Sequence, residues 1–332
     1  MKQTAPPRER LANAAVSEAV GKSAPVPRKA TTWQRVKKNK VLFLMLVPGL
    51  IHLVLFKLGP VGALVIAFQD FSTFLGITGS EWVGLENFRR FMEDPMIGRL
   101  IANTVILAVL VLFVSFPIPL VFALMLNEVR LRWLRRSVQT ISFIPYFVSS
   151  AVLVSIMYTL FSPNGGVVNV VLEAFGRESI SFFTEPAWFR PLYTFMHVWQ
   201  NFGYSVIIYM AAMSAIDPTL YEAADIDGAG RWRKILNITI PSISTMIAVM
   251  LILNVGQILT IDLDRILLMY NPAVYSTADV IQTYVYRLAF ASEGFPDYSY
   301  AAAVGLIQGA IAFVLVLLTN KASQKFTDSK VL

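Results

Sequence analysis

Six long apolar stretches set the frame for this 332-residue chain, at about 41–68, 100–126, 141–161, 191–214, 242–261 and 298–320. Crossing the hydrocarbon core of a bilayer takes roughly 20 helical residues. The pattern therefore predicts an all-α, polytopic membrane protein with six transmembrane helices. Several stretches carry proline, such as Pro48 and Pro60 in the first and Pro117 and Pro119 in the second. Neighbouring helices can satisfy the backbone groups that these prolines free. Only 15 % of the residues are charged, against about 25 % in an ordinary soluble domain.

The segments between the spans predict the orientation. With the N-terminus inside, segments 1–40, 127–140, 215–241 and 321–332 hold 20 of the Lys and Arg residues, and the outer segments hold 7. Acidic residues run the other way, 8 inside and 13 outside. This is the positive-inside pattern, and it places both termini in the cytoplasm. Lys57, within the first span, lies near its outer end, where it can snorkel. The net charge of +7 is absorbed by this topology and by anionic lipid at the membrane surface. No nucleic-acid-binding signature accompanies it, so no nucleic acid partner is expected. The chain has no cysteine, which excludes disulfides and thiolate chemistry.

Residues 1–32 are rich in Ala, Pro, Ser and basic residues and are expected to form a disordered cytoplasmic tail. Residues 33–325 form one membrane domain, which "WQRVKKNK" at 33–40 enters as a basic amphipathic lead-in, and 326–332 form a second cytoplasmic tail. The first apolar run starts only at residue 41 and five more follow, so it does not read as a cleaved signal peptide. In the outer segment 69–99, Trp82, Leu85, Phe88 and Phe91 could form an interfacial or capping helix. In 262–297, "ADVIQTYVYRLAF" fits a short helix or a strand equally.

Candidate chemistry is sparse. "AVGKSA" at 19–24 lacks the glycine that a phosphate-cradling loop needs five residues before Gly21, where the chain has Val16. His52 and His197 stand in separate spans with no zinc-type spacing, and each reads best as a hydrogen-bonded interior residue. No nucleophile with its base is visible, and no metal site is expected. Ion-coupled carriers keep a few inward-facing charges at mid-membrane, and the spans here hold almost none. They offer neutral polar and aromatic groups instead: Trp199, Gln200, Asn201 and Tyr204 in "HVWQNFGY", and Asn254 and Gln257 in "LNVGQ". These could line a pathway for a polyhydroxylated solute, or serve only as hydrogen bonds between helices. The small face of "GLIQG" at 305–309 could serve a subunit interface or internal packing, and packing is the favoured reading.

The stretch "YEAADIDGAGRWRKILNITIP" at 221–241 is polar and charged between two apolar runs. Asp217-Pro218 is a good helix start, and Gly228 and Gly230 break the short helix that follows. A second short helix carries Arg231, Arg233 and Lys234 before Pro241 leads into the fifth span. Positive-inside charge would need only the basic half. The acidic, alanine-rich half points to a docking element for a soluble partner.

Glu222-Ala223-Ala224, three residues, Gly228, nine residues and Ile238-Thr239-Ile240-Pro241 resemble the EAA loop of binding-protein-dependent ABC importer permeases. The family's pattern ends Ile-x-Leu-Pro, and Ile240 replaces its Leu. The resemblance runs over roughly 40–325. "DVIQTYVYR" at 279–287 and "YSYAAAVGL" at 298–306 are similar to the maltose and multiple-sugar branch, and within it most to the first permease subunit of alginate importers. The resemblance implies a bacterial inner-membrane permease that has no ATP site and is not itself an enzyme. Its coupling loop, 215–241, would dock into a cytoplasmic ATPase dimer that binds the ATP and Mg. A second homologous permease, an extracytoplasmic solute-binding protein and an oligo- or polysaccharide, alginate among them, complete the implied system, which works by alternating access. Carried over to this chain, the coupling residues are Glu222, Ala223, Ala224, Asp227, Gly228, Arg233 and Pro241, with Glu222 the salt-bridge partner of a basic group on the ATPase. The rival readings are an ion-coupled secondary carrier and an ABC permease for a non-sugar solute.

Overall fold

The computed structural model describes residues 40–257, 261–291 and 294–323. The N-terminal tail, the lead-in up to residue 39, "AVGKSA" and the C-terminal tail 326–332 lie outside the described residues. Contacts divide the chain into two units that meet at Gly62 and Ala63.

The described part of the first unit is helix α1 (Lys40–Leu53), followed by the π-helical turn Val54–Leu58. Its described residues are exposed throughout and mostly apolar. His52 belongs to it, packed only against the ring of Phe56 at 5.1 Å. The expectation of an interior histidine is not met among the described residues, where His52 is exposed.

In the second unit, two-residue strands β1 (Gln69–Asp70) and β2 (Glu81–Trp82) pair antiparallel, Gln69 opposite Trp82. Helix α2 (Glu86–Glu93) buries Phe91, while Trp82 and Leu85 stay outside the helix and exposed. Then come α3 (Ile97–Ser115), α4 (Pro117–Asn127), α5 (Arg132–Phe143), α6 (Ser150–Leu160) and α7 (Pro186–Ser214). They are followed by α8 (Pro218–Ile226), α9 (Arg231–Lys234), α10 (Ser244–Gln257), α11 (Leu263–Met269), α12 (Ile281–Phe290) and α13 (Tyr298–Ser323). The ambiguous outer segment is thus helical at α12.

Three stretches among the described residues are long and apolar enough to cross a membrane: Lys40–Phe68, Ile97–Asn127 and Tyr298–Ala322. The third and fifth expected spans are bent pairs instead. Arg132–Phe147 meets α6 at 103°, and Arg231–Ser242 meets α10 at 64°. Pro145 and Pro241 lie in the segments that end at these bends, and each removes a backbone donor from the helix ladder. The fourth expected span lies within α7, a continuous helix of 29 residues whose polar and aromatic content keeps it out of the strictly apolar set. Residues 258–260, at the end of the fifth, lie outside the described residues.

Helix α7 joins two apolar cores. Its first half buries Phe189, Leu192 and Met196 with Leu107, Leu153 and Ile266. Its second half buries Val206, Tyr209 and Met213 with Ala123, Leu126 and Ile243. Between the two halves stands Gly203, where an added Cβ would lie 2.0 Å from the carbonyl oxygen of Ser142. Only glycine permits so close an approach between α7 and the backbone of α5. A third core joins α2, α12 and α13 through Phe91, Tyr284, Tyr300 and Val304. The small face of "GLIQG" is not part of any core. Gly305 and Gly309 are exposed, and an added Cβ at either would meet nothing within 4 Å, so the glycine face is open among the described residues while Ile307 of the same stretch packs against the third core.

Polar anchors hold α12 to the spans. Asp279 is buried and receives a two-pronged bond from Arg287, at 2.7 and 2.9 Å, with further donation from Thr283 and Tyr270. Asn103 of α3 donates to the backbone carbonyls of Ser276 and Asp279, and Arg190 of α7 donates to Asn103 at 2.7 Å. Burial pushes the Asp279 carboxyl up, but Arg287, Thr283 and Tyr270 outweigh it and hold the group below its ordinary value. A carboxyl depressed on folding stabilises fully above its unfolded pKa of about 3.9, and that stability is lost as pH falls through the folded pKa. Asp279→Asn leaves Arg287 half-buried without its counter-charge, at a cost of about 3–5 kcal/mol. The expected result in detergent is a lower unfolding temperature at neutral pH and a flatter loss of stability below about pH 4 than in the unsubstituted protein. An unchanged unfolding temperature would remove the pair from the scaffold.

Candidate functional site

The loop 215–241 folds as a capped helix, a tight reversal and a second helix. Asp217 accepts the backbone N–H of Thr219 at 2.9 Å, and Pro218 occupies the first turn of α8, where a missing N–H costs nothing. The Thr219 amide holds the Asp217 carboxyl below its usual value. At the other end Ala229 N–H bonds Ala224 C=O at 2.8 Å, and Gly228 N–H bonds Asp225 C=O at 3.1 Å. These two bonds are the Schellman closure, which requires a left-handed residue just past the helix. Gly228 is that residue, with φ +72°. Gly230 is extended, φ −70°, and opens α9, so the two glycines have different roles. Lys234 then pairs with Asp225 at 2.6 Å, and Tyr221 bonds Thr239 at 2.9 Å. Together these fix the angle between α8 and the segment that follows it.

This geometry presents Glu222, Ala223, Asp227 and Arg233 to the outside, with Ala224 half-buried. Ala224, Asp227, Arg233 and Lys234 line one open groove. Pro241 is exposed in the short turn Ile240–Ser242, just before the bend into α10. Two residues absent from the sequence reading stand beside the loop: Ile226 is 87 % exposed and Trp232 78 %. Large apolar side chains so exposed in a polar loop mark a contact surface. The available signal was their apolar character in an otherwise charged stretch.

The expected pathway residues do not converge. Asn254 and Gln257 line a cavity of about 70 Å³ between α3, α7 and α10, together with Ser115, Tyr193, His197 and Asp262. That holds a few waters, whereas a ligand pocket spans about 300–1,000 Å³. Asn254 donates to its own helix at Met250 C=O, and Asn201 does the same at His197 C=O. Gln200 donates to Val148 C=O and accepts from Arg265. Trp199 lines an apolar surface groove with Leu110, Val114 and Phe202. Tyr204 stacks on Tyr146 at 4.9 Å and is 44 % exposed. His197 reaches the cavity beside Tyr193, a position that span-by-span reading could not assign.

An α-helical membrane bundle carrying this capped loop defines the class, a polytopic membrane transport component. Residues 115–331 match the family described as "Binding-protein-dependent transport system inner membrane component", and the chain belongs to that family. It is similar to the polygalacturonan/rhamnogalacturonan transport system permease protein YteP of Bacillus subtilis (strain 168), 43 % identical over 88 % of this chain and 90 % of the relative. It is 32 % identical to the lactose transport system permease protein LacF of Rhizobium radiobacter, over 73 % of this chain and 81 % of the relative. Among solved structures it resembles a chain of a bacterial ABC transporter involved in the import of the acidic polysaccharide alginate. There the TM-score is 0.80 with 38 % identity, covering 89 % of this chain and 99 % of the other. A bacterial alginate ABC transporter in complex with an alginate pentasaccharide-bound periplasmic protein gives 0.81 and 37 %, covering 90 % and 99 %.

The loop geometry separates the two glycines. Gly228→Ala forces a Cβ into the left-handed region at about 1–2 kcal/mol and should weaken the end of α8, while Gly228→Asn should recover part of that loss. Gly230→Ala, with nothing within 4 Å of the added Cβ, should be nearly silent. Amide hydrogen exchange across 218–230 in the purified protein reads the difference, and equal protection in Gly228→Ala and the unsubstituted chain would contradict the cap assignment.

Proposed function

We propose that the chain is one permease subunit of an ATP-driven importer that carries an oligo- or polysaccharide, of an acidic type such as alginate or polygalacturonan, into the cytoplasm. The observation that carries this reading is the Schellman-capped helix α8, which holds Glu222 and Ala223 outward beside exposed Ile226 and Trp232. Such a surface has no use within a lone membrane bundle, and it fits a groove on a cytoplasmic ATPase dimer. There Glu222 pairs with a basic residue, the small alanines allow close approach, and the apolar pair anchors the contact.

The loop then works as a lever. Salt bridge Lys234–Asp225 and the Tyr221–Thr239 bond couple α8 to the segment that leads into α10. ATP binding closes the ATPase dimer, α8 moves with it, and the bend at Pro241 passes that motion to the wall of the cavity by alternating access. With both termini cytoplasmic, the opposite end of the bundle faces the solute-binding protein that delivers substrate, through segments 69–99 and 262–297. A 70 Å³ cavity is too small for a sugar, so the path is completed by a second, homologous permease and by the opening motion. The sugar assignment draws on YteP, which is named for a galacturonan, and on the alginate importers. ATP and Mg belong to the partner ATPase.

Glu222→Arg tests the coupling in the reconstituted complex. Reversing this exposed charge should abolish substrate-stimulated ATP hydrolysis, a drop of about tenfold or more for a lost interfacial ion pair replaced by repulsion, with the same elution profile and unfolding temperature for the chain. Normal stimulation would sink the assignment of Glu222.

A further inference from the structure

Arg265, on α11, is 1 % exposed, the largest of the fully buried side chains. Its Nη2 pairs with Asp262 at 2.9 Å and donates to Gln200, and its guanidinium carbon stands 5.5 Å from the centre of the Tyr193 ring. Nε and Nη1 have no hydrogen-bond partner. A buried guanidinium with two idle donors is a poor stabiliser, because desolvation outweighs a single ion pair and an apolar side chain of similar volume would pack as well. The positive charge itself must have a use.

That use lies three residues away, across the salt bridge to Asp262. Among the described residues, Asp262 is the one acidic group lining the polar cavity, where Tyr193, His197, Asn254 and Gln257 also face in. Its carboxylate has structural work: it accepts the Arg265 N–H that starts α11 and the hydroxyl of Ser150 at 3.0 Å. The fold therefore keeps a negative charge on the wall of the cavity. Left alone, it would repel an anionic solute far more strongly in this partly dry site than in water. We propose that Arg265 is a specificity-determining residue. By cancelling Asp262 it lets the path that opens at this cavity during transport pass a carboxylate-bearing sugar, a uronate oligosaccharide. The inference rests on the importer function proposed above. Arg265 acts through Asp262 and does not need to touch the sugar.

The test uses the whole importer, with its ATPase and binding protein, in proteoliposomes. ATP-driven uptake is compared for a labelled uronate oligosaccharide and for the same compound with its carboxyl groups reduced to alcohols. Arg265→Gln should lower the uronate-to-neutral ratio about tenfold, as expected of an uncancelled like charge, while Arg265→Lys keeps it. The double variant Arg265→Gln/Asp262→Asn should return the ratio to within about threefold of the unsubstituted complex, since both charges are gone. Equal loss of both sugars in Arg265→Gln, or no recovery in the double variant, overturns the proposal and assigns Arg265 to packing. Should Arg265→Gln fail to assemble, Asp262→Asn alone decides: it leaves an uncancelled cation and should raise the ratio, and an unchanged ratio overturns the proposal. If the unsubstituted complex takes up neither sugar with ATP, the importer reading itself falls and this inference with it. Uptake of the neutral sugar alone overturns only the inference.

Discussion

Helix α7 carries the larger unit because both halves of its length are buried in different cores, one around Met196 and Ile266 and one around Val206 and Ile243. The two cores can share one helix only because the backbone of α5 reaches α7 at Gly203. Without a side chain there, Ser142 and Phe143 pack directly on the helix, and the chain can turn sharply into α6. This contact sets where Tyr193, His197 and Gln200 stand. It therefore positions the cavity wall on one side and the second half of α7, which leads to the 215–241 loop, on the other.

The loop inverts the usual relation between exposure and function in a membrane bundle. Its backbone is closed on itself by the Asp217 cap and the Schellman bonds at Gly228, so little of its polar main chain needs a partner. What remains unsatisfied is side-chain surface: Glu222, Ile226 and Trp232 project from a rigid support. A surface that is pre-organised and apolar at its centre binds with little ordering cost, and a stiff element transmits force where a floppy one would absorb it. In the importer proposed above, the chemistry of ATP resides wholly on a partner.

Much of this was legible in the sequence, for identifiable reasons. Apolar length located the spans, and the spacing from Glu222 to Pro241 located the loop, because both depend on residue order along one element. Apolar length alone does not give the bends, which the structure places beside Pro145 and Pro241. The side-chain directions within the spans are not legible in the sequence, for a different reason. Amides inside an apolar helix can turn inward or fold back onto their own carbonyls, and Asn201 and Asn254 do the latter. Trp199 and Tyr204 lie on other faces of α7, and spacing along one helix does not say which face a neighbour will cover. Arg265 belongs to an outer segment where a charge reads as solvated in the sequence, while the fold buries it on α11.

The central claim is that this chain works only as part of a larger machine to which the 215–241 loop ties it. The most direct measurement is to extract the tagged full-length chain from its native membrane in mild detergent and identify the proteins that come with it by mass spectrometry. The account predicts a cytoplasmic ATPase and a second, homologous permease in fixed ratio, with the ATPase lost when Glu222 and Trp232 are both reversed in character. Recovery of the chain alone, or only as copies of itself, in a detergent that preserves known membrane complexes would contradict it.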